Sequence, residues 1–303
     1  MNGIINVLKP PGMTSHDVVS FIRKRIGTKR VGHTGTLDPE AAGVLVICVG
    51  KATKAVQYLV NDDKIYRANI KFGIITDTQD KYGTIVKESE VDDISSQDLQ
   101  CILSKFVGKI QQTPPLYSAL KHKGKRLYEY ARQGQSVQVN SREVEIYDIK
   151  LIDKVYKDEF IIDISCSKGT YIRTLCNDIG KYSNFGAHMS QLIRLKSGIF
   201  SICDAFTLEE IETLVKRNKN SDYLIKVDEL FKEYRRIDIK ETARKSALNG
   251  NPIFSIGLVD YIENIKLKTE VGLYLSGVFI GIGQIEHDSK NNRNYVKIKT
   301  LFV

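Results

Sequence analysis

The sequence lacks the residue patterns of several common protein classes. Its 303 residues include no tryptophan and five cysteines (48, 101, 166, 176 and 203), with no Cys-x-x-Cys pair. An odd number of cysteines, with Cys48 inside an apolar run, indicates free thiols in a reducing compartment and not a disulfide framework. The five histidines are scattered, so their spacing suggests no metal site. No apolar run approaches the length of a membrane span.

Targeting and nucleotide-binding signals are missing as well. The N-terminal apolar stretch, Ile4–Leu8, is too short for the hydrophobic region of a signal peptide. We therefore expect a cytoplasmic protein that does not associate with membranes. The pair Gly32-x-x-Gly35 lacks the Gly-Lys-Ser/Thr ending of a phosphate-binding loop. A nucleotide-binding α/β enzyme is accordingly disfavoured.

Acidic residues are outnumbered, since 45 Lys and Arg face 36 Asp and Glu for a net charge of +9. This excess favours a polyanionic partner. Between Tyr117 and Arg142 one acid, Glu129, accompanies six basic residues, and three tyrosines are interleaved with them. Basic side chains neutralise phosphates and aromatic rings stack on unpaired bases, so the segment predicts RNA binding; the alternative is a solvated charged face. The basic residues are Lys121, Lys123, Lys125, Arg126, Arg132 and Arg142.

The stretch from Gly32 to Leu45 holds the foremost candidate for chemistry. A polar, glycine-containing loop ends at a single carboxylate, Asp38, which is followed by Pro39. The apolar run Val44–Val49 then reads as a strand buried on both faces. An acid at the edge of a buried sheet is a candidate nucleophile or general base. The alternative is an ordinary Asp-Pro turn.

The pattern along the chain mixes helices and strands without strict alternation, which predicts an α+β fold over a doubly wound α/β fold. From about Ile237 the pattern shifts to short strands and glycines, with a hairpin turn at Ser276-Gly277. We therefore predict a larger domain at 1–236 and a small all-β domain at 237–303. Strands are expected at 4–8, 66–72 and within 144–165. The first helix is expected to be capped by Ser15 and to end at Gly27. Further helices are expected at 52–60, 95–107, from 170, and after the capping box Thr207-x-x-Glu210.

Six ordered segments resemble the TruB family, the bacterial tRNA pseudouridine synthases that modify uridine 55 in the T loop. The match runs from the first residues to about Leu195 without large gaps. Any one motif is weak, whereas six in register are specific. The segments are 9–15 (KPPGMTS), 32–45, 73–80, 117–121 (YSALK), 127–132 (LYEYAR) and 167–173 (SKGTYIR).

The resemblance implies a pseudouridine synthase core with a mixed, mainly antiparallel sheet flanked by helices. It further implies a thumb insertion at about 112–140 that clamps the T-stem loop of tRNA, and a PUA-like domain at the C-terminus. Isomerising uridine consumes no water, phosphate or oxidant, so no cofactor is expected. We expect a monomer with tRNA as its partner.

Residue roles also follow from the resemblance. Asp38 matches the catalytic aspartate, Arg173 the arginine that pairs with it, and Tyr66 the tyrosine that stacks on the flipped base and is placed to take its proton. The candidate substrate contacts are Lys9, His33, Tyr66, Tyr171 and Leu192, and the candidate RNA clamp is Lys121, Lys123, Lys125, Arg126 and Arg132. After Leu192 the family has Arg-Arg where this chain has Ile193-Arg194, so one positive contact is expected to be lost.

Each of these residues also has an ordinary structural interpretation. Tyr66 alternates within a strand and fits a core position, Tyr171 fits a helix start, Arg173 a solvated face and His33 a hydrogen bond within a loop. A non-catalytic RNA-binding protein would need the basic clamp but not Asp38. The residues alone do not distinguish attack of Asp38 on C1′ from abstraction of the 2′ proton.

Overall fold

The computed structural model describes residues 1–118, 120–135 and 137–303. Ala119, in the motif at 117–121, and Ser136, in the expected thumb, lie outside the described residues. The helices are α1 (Ser15–Ile26), α2 (Val56–Leu59), α3 (Ser96–Ser104), α4 (Leu127–Arg132), α5 (Ile172–Tyr182), α6 (Leu208–Lys216) and α7 (Arg244–Leu248). The strands are β1 (Gly3–Lys9), β2 (Val31–His33), β3 (Ala42–Val49), β4 (Lys64–Phe72), β5 (Ile74–Thr76), β6 (Ile85–Glu88), β7 (Gly108–Gln112), β8 (Lys121–His122), β9 (Lys125–Arg126), β10 (Arg142–Tyr156), β11 (Glu159–Cys166), β12 (Ala187–Ser197), β13 (Phe200–Ser201), β14 (Arg235–Ile239), β15 (Ile253–Phe254), β16 (Glu270–Leu275), β17 (Val278–Asp288) and β18 (Arg293–Leu301).

One mixed sheet organises the first two thirds of the chain. Its strand order is β1-β3-β12-β4-β11-β10-β7, with β2 beside β3 and β13 beside β12. The β3–β12 contact is parallel and the other strand pairs are antiparallel. Side chains of α3 and α5 pack in the same core as β4, β10, β11 and β12. The predicted α+β class, with a mixed and mainly antiparallel sheet flanked by helices, is confirmed.

Strand β3 is buried on both faces, as its unbroken apolar run predicts, because each face is covered by a different layer. Leu45, Ile47 and Val49 pack with residues of α1 and α6. Val44, Val46 and Cys48, on the alternate face, pack with Phe231 and with apolar side chains of the C-terminal region. The loop that precedes β3 is therefore fixed to a strand that cannot shift without disrupting both layers.

The C-terminal region forms a second sheet with the order β14-β16-β17-β18-β15. Ser276 and Gly277 have φ values of 50° and 76°, which fit the two-residue hairpin turn predicted from the sequence. The rings of Phe279 and Phe302 lie 5.8 Å from Phe231 and join this sheet to the rest of the protein. This is the small PUA-like β domain that the resemblance implies, with α7 added as a short helix. The boundary at 236/237 stays a prediction.

Several predicted helix boundaries are wrong by one or a few residues. Thr14, and not Ser15, caps α1 through a capping box with Asp17. The helix predicted at 52–60 is instead a 3₁₀ helix (Gly50–Ala55) followed by the short α2. The hydrogen bonds of a 3₁₀ helix join residues three apart, not four. Helix α3 ends at Ser104, three residues before the predicted end at Val107.

Candidate active site

The Asp38 loop is held to the surrounding structure at several points. The Ser15 hydroxyl accepts a hydrogen bond from the Leu37 N–H at 2.9 Å. The Gly12 N–H donates to the Pro39 carbonyl at 3.0 Å. These hydrogen bonds hold the backbone on both sides of Asp38. The loop is therefore fixed at this point, although its glycines and polar residues would suit a flexible segment.

Lys9 contacts the Asp38 loop and is fully buried. Its ammonium donates to the carbonyls of Pro10 at 2.8 Å, Met13 at 2.5 Å and Pro39 at 2.8 Å. Burial lowers the pKa of Lys9 to about 8, against the opposing effect of the nearby carboxylates Glu40 and Asp38. The ammonium has no N–H left for a substrate. We therefore correct the expected substrate contact: Lys9 joins the first motif to the Asp38 loop.

The Asp38 carboxylate meets the guanidinium of Arg173 in a two-point ion pair. Nε lies 2.9 Å from Oδ2 and Nη2 lies 3.1 Å from Oδ1. The Arg173 side chain is 6% exposed, whereas that of Asp38 is 38% exposed. The arginine is thus inside the protein and the carboxylate faces outward. The pair fixes the orientation of Asp38 while leaving an edge of the carboxylate accessible.

Arg173 also ties two further segments to Asp38. Its Nη1 donates to the Thr78 carbonyl at 3.1 Å, and its Nη2 donates to the Tyr117 carbonyl at 2.9 Å. Asp80 adds a second carboxylate, 3.6 Å from Nη1. One buried side chain therefore links the Asp38 loop, the turn between β5 and β6, and the base of the 112–140 segment.

Tyr66 and Leu192 lie on adjacent strands and share a buried cluster with Leu37 and Ala41, which flank Asp38. Ile172, which precedes Arg173, belongs to the same cluster, so the residues beside Asp38 and Arg173 share one core with Tyr66 and Leu192. Burial raises the pKa of the Tyr66 phenol, so its hydroxyl stays protonated at neutral pH.

Sequence reasoning missed the part played by Arg194, which it treated as what remained of a lost Arg-Arg pair. Arg194 is 2% exposed and lies opposite Tyr66 in the β12–β4 register. It donates through Nε to the Val44 carbonyl at 2.7 Å and through Nη2 to the Gly35 carbonyl at 3.0 Å. A side chain at Gly43 would overlap the Arg194 backbone, and Gly43 has a φ of 110°. One feature of the sequence could have predicted this role: Arg194 lies two residues after Leu192, so the alternation of the strand puts both on the buried face.

Tyr171 occupies the N-cap position of α5, which begins at Ile172, two residues later than the helix start predicted from the sequence. Gln112, also missed, is fully buried and brackets the Tyr171 backbone: it accepts from the N–H at 2.7 Å and donates to the carbonyl at 3.1 Å. The guanidinium of Arg142 lies 4.9 Å from the centre of the Tyr171 ring. Tyr171 is thus fixed two residues before Arg173.

His33 ends β2 on the other side of the Asp38 loop. Its pKa is lowered chiefly by burial and further by the charge of Arg194, so the ring is neutral at pH 7. The charge of Arg126 also lowers this pKa, which places the basic segment within electrostatic reach of His33.

The basic segment projects as a small hairpin, β8 and β9, followed by α4. The five predicted clamp residues are exposed: Lys121, Lys123, Lys125, Arg126 and Arg132. Arg126 and Arg132 lie 6.0 and 5.4 Å from the ring centre of Tyr128. An open cavity of about 760 Å³ is lined by residues of the hairpin and α4 and by Gln135, Val137, Gln138 and Asn140. Exposed cations beside aromatic faces can bind phosphates and stack with bases.

Within residues 1–118, 120–135 and 137–303, no group of three or more His, Cys, Asp and Glu side chains is arranged to hold a metal ion. None of the helices in the same ranges is long and apolar enough to cross a membrane.

Comparison with known proteins extends the similarity over nearly the whole chain. Residues 23–172 match the N-terminal domain of the TruB family pseudouridylate synthases, and residues 173–231 match the tRNA pseudouridylate synthase B C-terminal domain. A tRNA pseudouridine synthase B of Alkaliphilus oremlandii is 46% identical over 99% of this chain and 98% of its own length. The chain belongs to the TruB family of pseudouridylate synthases. It is therefore a pseudouridine synthase, an isomerase.

Two further relatives agree with this assignment. A tRNA pseudouridine synthase B of Caldanaerobacter subterraneus is 47% identical over 94% of this chain and 96% of its own length. Among solved structures, a protein in a Cbf5-Nop10-Gar1 complex is 25% identical, with a TM-score of 0.73 over 99% of this chain and 85% of its own. The whole TruB-family chain, including its C-terminal sheet, thus has counterparts in related proteins.

Proposed function

We propose that this TruB-family chain isomerises uridine 55 in the T loop of tRNA to pseudouridine, with Asp38 as the catalytic carboxylate. The observation that carries the proposal is the Asp38–Arg173 pair, in which a buried arginine orients an accessible carboxylate. Family membership supports the reaction, and the names of the relatives support tRNA as the substrate.

The reaction divides into steps that these residues suit. The target uridine leaves the stack of the loop and enters the space above Asp38, between Tyr66, Tyr171 and Leu192. Asp38 either attacks C1′ or abstracts the 2′ proton, and the bond between C1′ and N1 breaks. The freed base turns while the pocket holds it, and C5 bonds to C1′ as the bond between Asp38 and C1′ breaks or, on the second route, as the abstracted proton returns to C2′. N1 of the turned base takes up a proton. The proton on C5 then leaves, which restores the aromatic character of the base.

We assign the transfer of this last proton to Tyr66. Because its phenol is protonated at neutral pH, Tyr66 acts as a relay: it accepts the proton from C5 as it gives up its own hydroxyl proton. Arg194 lies opposite Tyr66 and fixes the Asp38 loop through Gly35. The two halves of the site are thereby kept in register.

Substitutions at Tyr66 separate stacking from proton transfer. Tyr66→Phe keeps the ring and should bind the hairpin normally, but its single-turnover rate should fall roughly 10² to 10⁴-fold because the relay is lost. Tyr66→Leu should lose affinity for the flipped base in addition. Rapid-quench kinetics and hairpin titrations provide both values. Near-normal rates in both variants would assign Tyr66 to the core alone.

The thumb should bind phosphates. Replacing Lys121, Lys123, Lys125 and Arg126 together by glutamine should reduce the slope of log K against log salt by about three to four units, at roughly 0.7–0.9 per phosphate contact. Fluorescence titrations of a T-arm hairpin over a salt series measure this slope. Glutamines at the exposed lysines 105, 157, 181 and 266 form the charge-matched control. An unchanged slope in the thumb variant would reduce the segment to a solvated face.

The decisive alternative is an RNA-binding protein that does not catalyse. Incubating the purified protein with a T-arm transcript in EDTA, followed by digestion and nucleoside chromatography, distinguishes the two. We expect one uridine per hairpin to become pseudouridine without any cofactor. Tight binding with unchanged nucleoside composition would favour the non-catalytic alternative.

We further propose that the enzyme acts as a cytoplasmic monomer. The five cysteines are all free, which suits a reducing compartment. The residues assigned to catalysis come from a single chain, so the proposed site is complete without a partner. Light scattering of the protein with and without tRNA tests the oligomeric state.

A further inference from the structure

A second basic surface lies outside the thumb, around the C-terminal end of α1. Residues 23–54 contain seven Lys and Arg but only two acids, Asp38 and Glu40, both on the catalytic loop. Five of these basic side chains are exposed and form no salt bridge with any described residue. One of them, Lys54, donates a hydrogen bond to the C-terminal sheet. The other four define what we call the α1 surface: Lys24, Lys29, Arg30 and Lys51. Cations in the last helical turn offset the helix dipole, which accounts for Lys24. Lys29, Arg30 and Lys51 lie outside the helix and need another explanation.

The backbone holds these charges together and beside the active site. The Gly50 N–H donates to the Arg30 carbonyl at 2.7 Å, which brings Lys51 next to Arg30. Arg30 leads directly into β2, whose last residue is His33. Three residues of extended chain span roughly 10 Å, so the α1 surface begins about that far from the rim of the proposed site.

The same surface leads toward the C-terminal sheet. The Lys54 ammonium, three residues after Lys51, donates to the Leu301 carbonyl at 2.7 Å. Tyr58 and Thr300 share a hydrogen bond at 2.8 Å across the same junction. Two further exposed lysines, Lys297 and Lys299, lie on the strand that ends at this junction. Positive charge thus extends from the site rim to the C-terminal domain.

The composition of the surface indicates which form of nucleic acid it fits. Between Phe21 and Tyr58 the sequence contains no phenylalanine, tyrosine or tryptophan. The segment that carries the α1 surface therefore supplies charges for phosphates but no rings of its own on which unpaired bases could stack, unlike the thumb with its interleaved tyrosines. A duplex, whose bases are already paired and stacked, is recognised through its backbone.

We infer that the α1 surface binds the phosphate backbone of the double-stranded stem that continues from the loop held in the active site. This inference rests on the proposed function for the identity of the RNA. The thumb would hold the loop and its flipped base, while the α1 surface would track the stem toward the C-terminal sheet. Longer stems should therefore bind more tightly than short ones that carry the same loop.

Titration of two hairpins over a salt series tests the inference. Both hairpins carry the same T loop; one has a short stem, and the other has a stem lengthened by the stacked acceptor helix. The wild-type protein should bind the long hairpin more tightly and with a steeper salt slope. In the variant with glutamine at residues 24, 29, 30 and 51 this difference should disappear, with a loss of about three to four units of slope at roughly 0.9 per phosphate. The variant with glutamine at residues 105, 157, 181 and 266 should behave like the wild type, and thermal melts should show that both variants are folded.

Turnover of saturating short hairpin should be unchanged in the α1-surface variant. Equal loss of affinity for both hairpins would overturn the inference, since the surface would then contact the loop. Unchanged affinity of the α1-surface variant for both hairpins would overturn the inference as well. If that variant instead lost the wild type's binding to phosphatidylserine vesicles, the surface would be assigned to an anionic membrane. If the wild type bound both hairpins but isomerised neither, the proposed function would fail, while the stem comparison would still report on the surface.

Discussion

Asp38→Asn should abolish isomerisation of a T-arm hairpin while leaving its affinity for the protein almost unchanged. The substitution is close to isosteric, but a neutral amide can neither attack C1′ nor accept the 2′ proton. Loss of a residue that performs the chemistry costs on the order of 10⁴-fold or more in rate. Single-turnover assays at saturating protein measure the rate, and titration with the same hairpin measures affinity.

Glu40→Gln is the matched control for this experiment. Glu40 is an exposed carboxylate of the same loop and forms no salt bridge with any described residue, so its replacement removes the same charge without touching Arg173. We expect its rate to stay near that of the wild type. Comparable losses in both variants would mean that the charge of the loop, and not the Asp38 carboxylate, supports turnover.

Arg173 should show the second large effect. Arg173→Lys retains a positive charge but cannot make the two-point contact with Asp38 while also reaching the carbonyls of Thr78 and Tyr117. Its single-turnover rate should fall strongly while hairpin binding persists. Arg173→Ala should lose more, because it removes the positive charge together with both contacts that orient the Asp38 carboxylate.

An arginine that only bound phosphate would give a different pattern. Both variants would then weaken hairpin affinity, and rates at saturating protein would match the wild type. Arg67→Ala is the control, since Arg67 neighbours Tyr66 on β4 but pairs with Asp163 near the surface, where its side chain is 41% exposed. A surface pair of this kind is worth about 0–1 kcal/mol, so this variant should remain active.

The alternation of apolar residues was enough to predict the main strands. The run Val44–Val49 predicted a strand buried on both faces, and the structure confirms it with a different layer on each side. Helix ends were harder, because Thr14 and Ser15 are both competent caps and tertiary contact decides between them. Ser15 is drawn inward to bond the Leu37 backbone, so Thr14 takes the cap.

The proposed site could likewise be predicted only in part. Ordered motifs pointed to Asp38, Tyr66, Arg173 and Leu192; the structure pairs Asp38 with Arg173 and buries Tyr66 and Leu192 in one core. What a sequence cannot show is which buried polar groups bond to the backbone of distant segments. Lys9 and Arg194 resemble substrate contacts in sequence, but their hydrogen bonds go to carbonyls of the protein itself.

The most direct test of the account is position-specific tritium release from a T-arm hairpin with a single 5-³H-uridine. Forming the bond between C5 and C1′ expels that hydrogen, so release reports the isomerisation itself. With the label at position 55 and EDTA present, the wild-type protein should release one tritium per hairpin, Asp38→Asn should release none, and a label at any other uridine should be retained. Release from Asp38→Asn at the wild-type rate, or no release from a tightly bound wild-type complex, would contradict the central claim that the Asp38–Arg173 pair isomerises uridine 55.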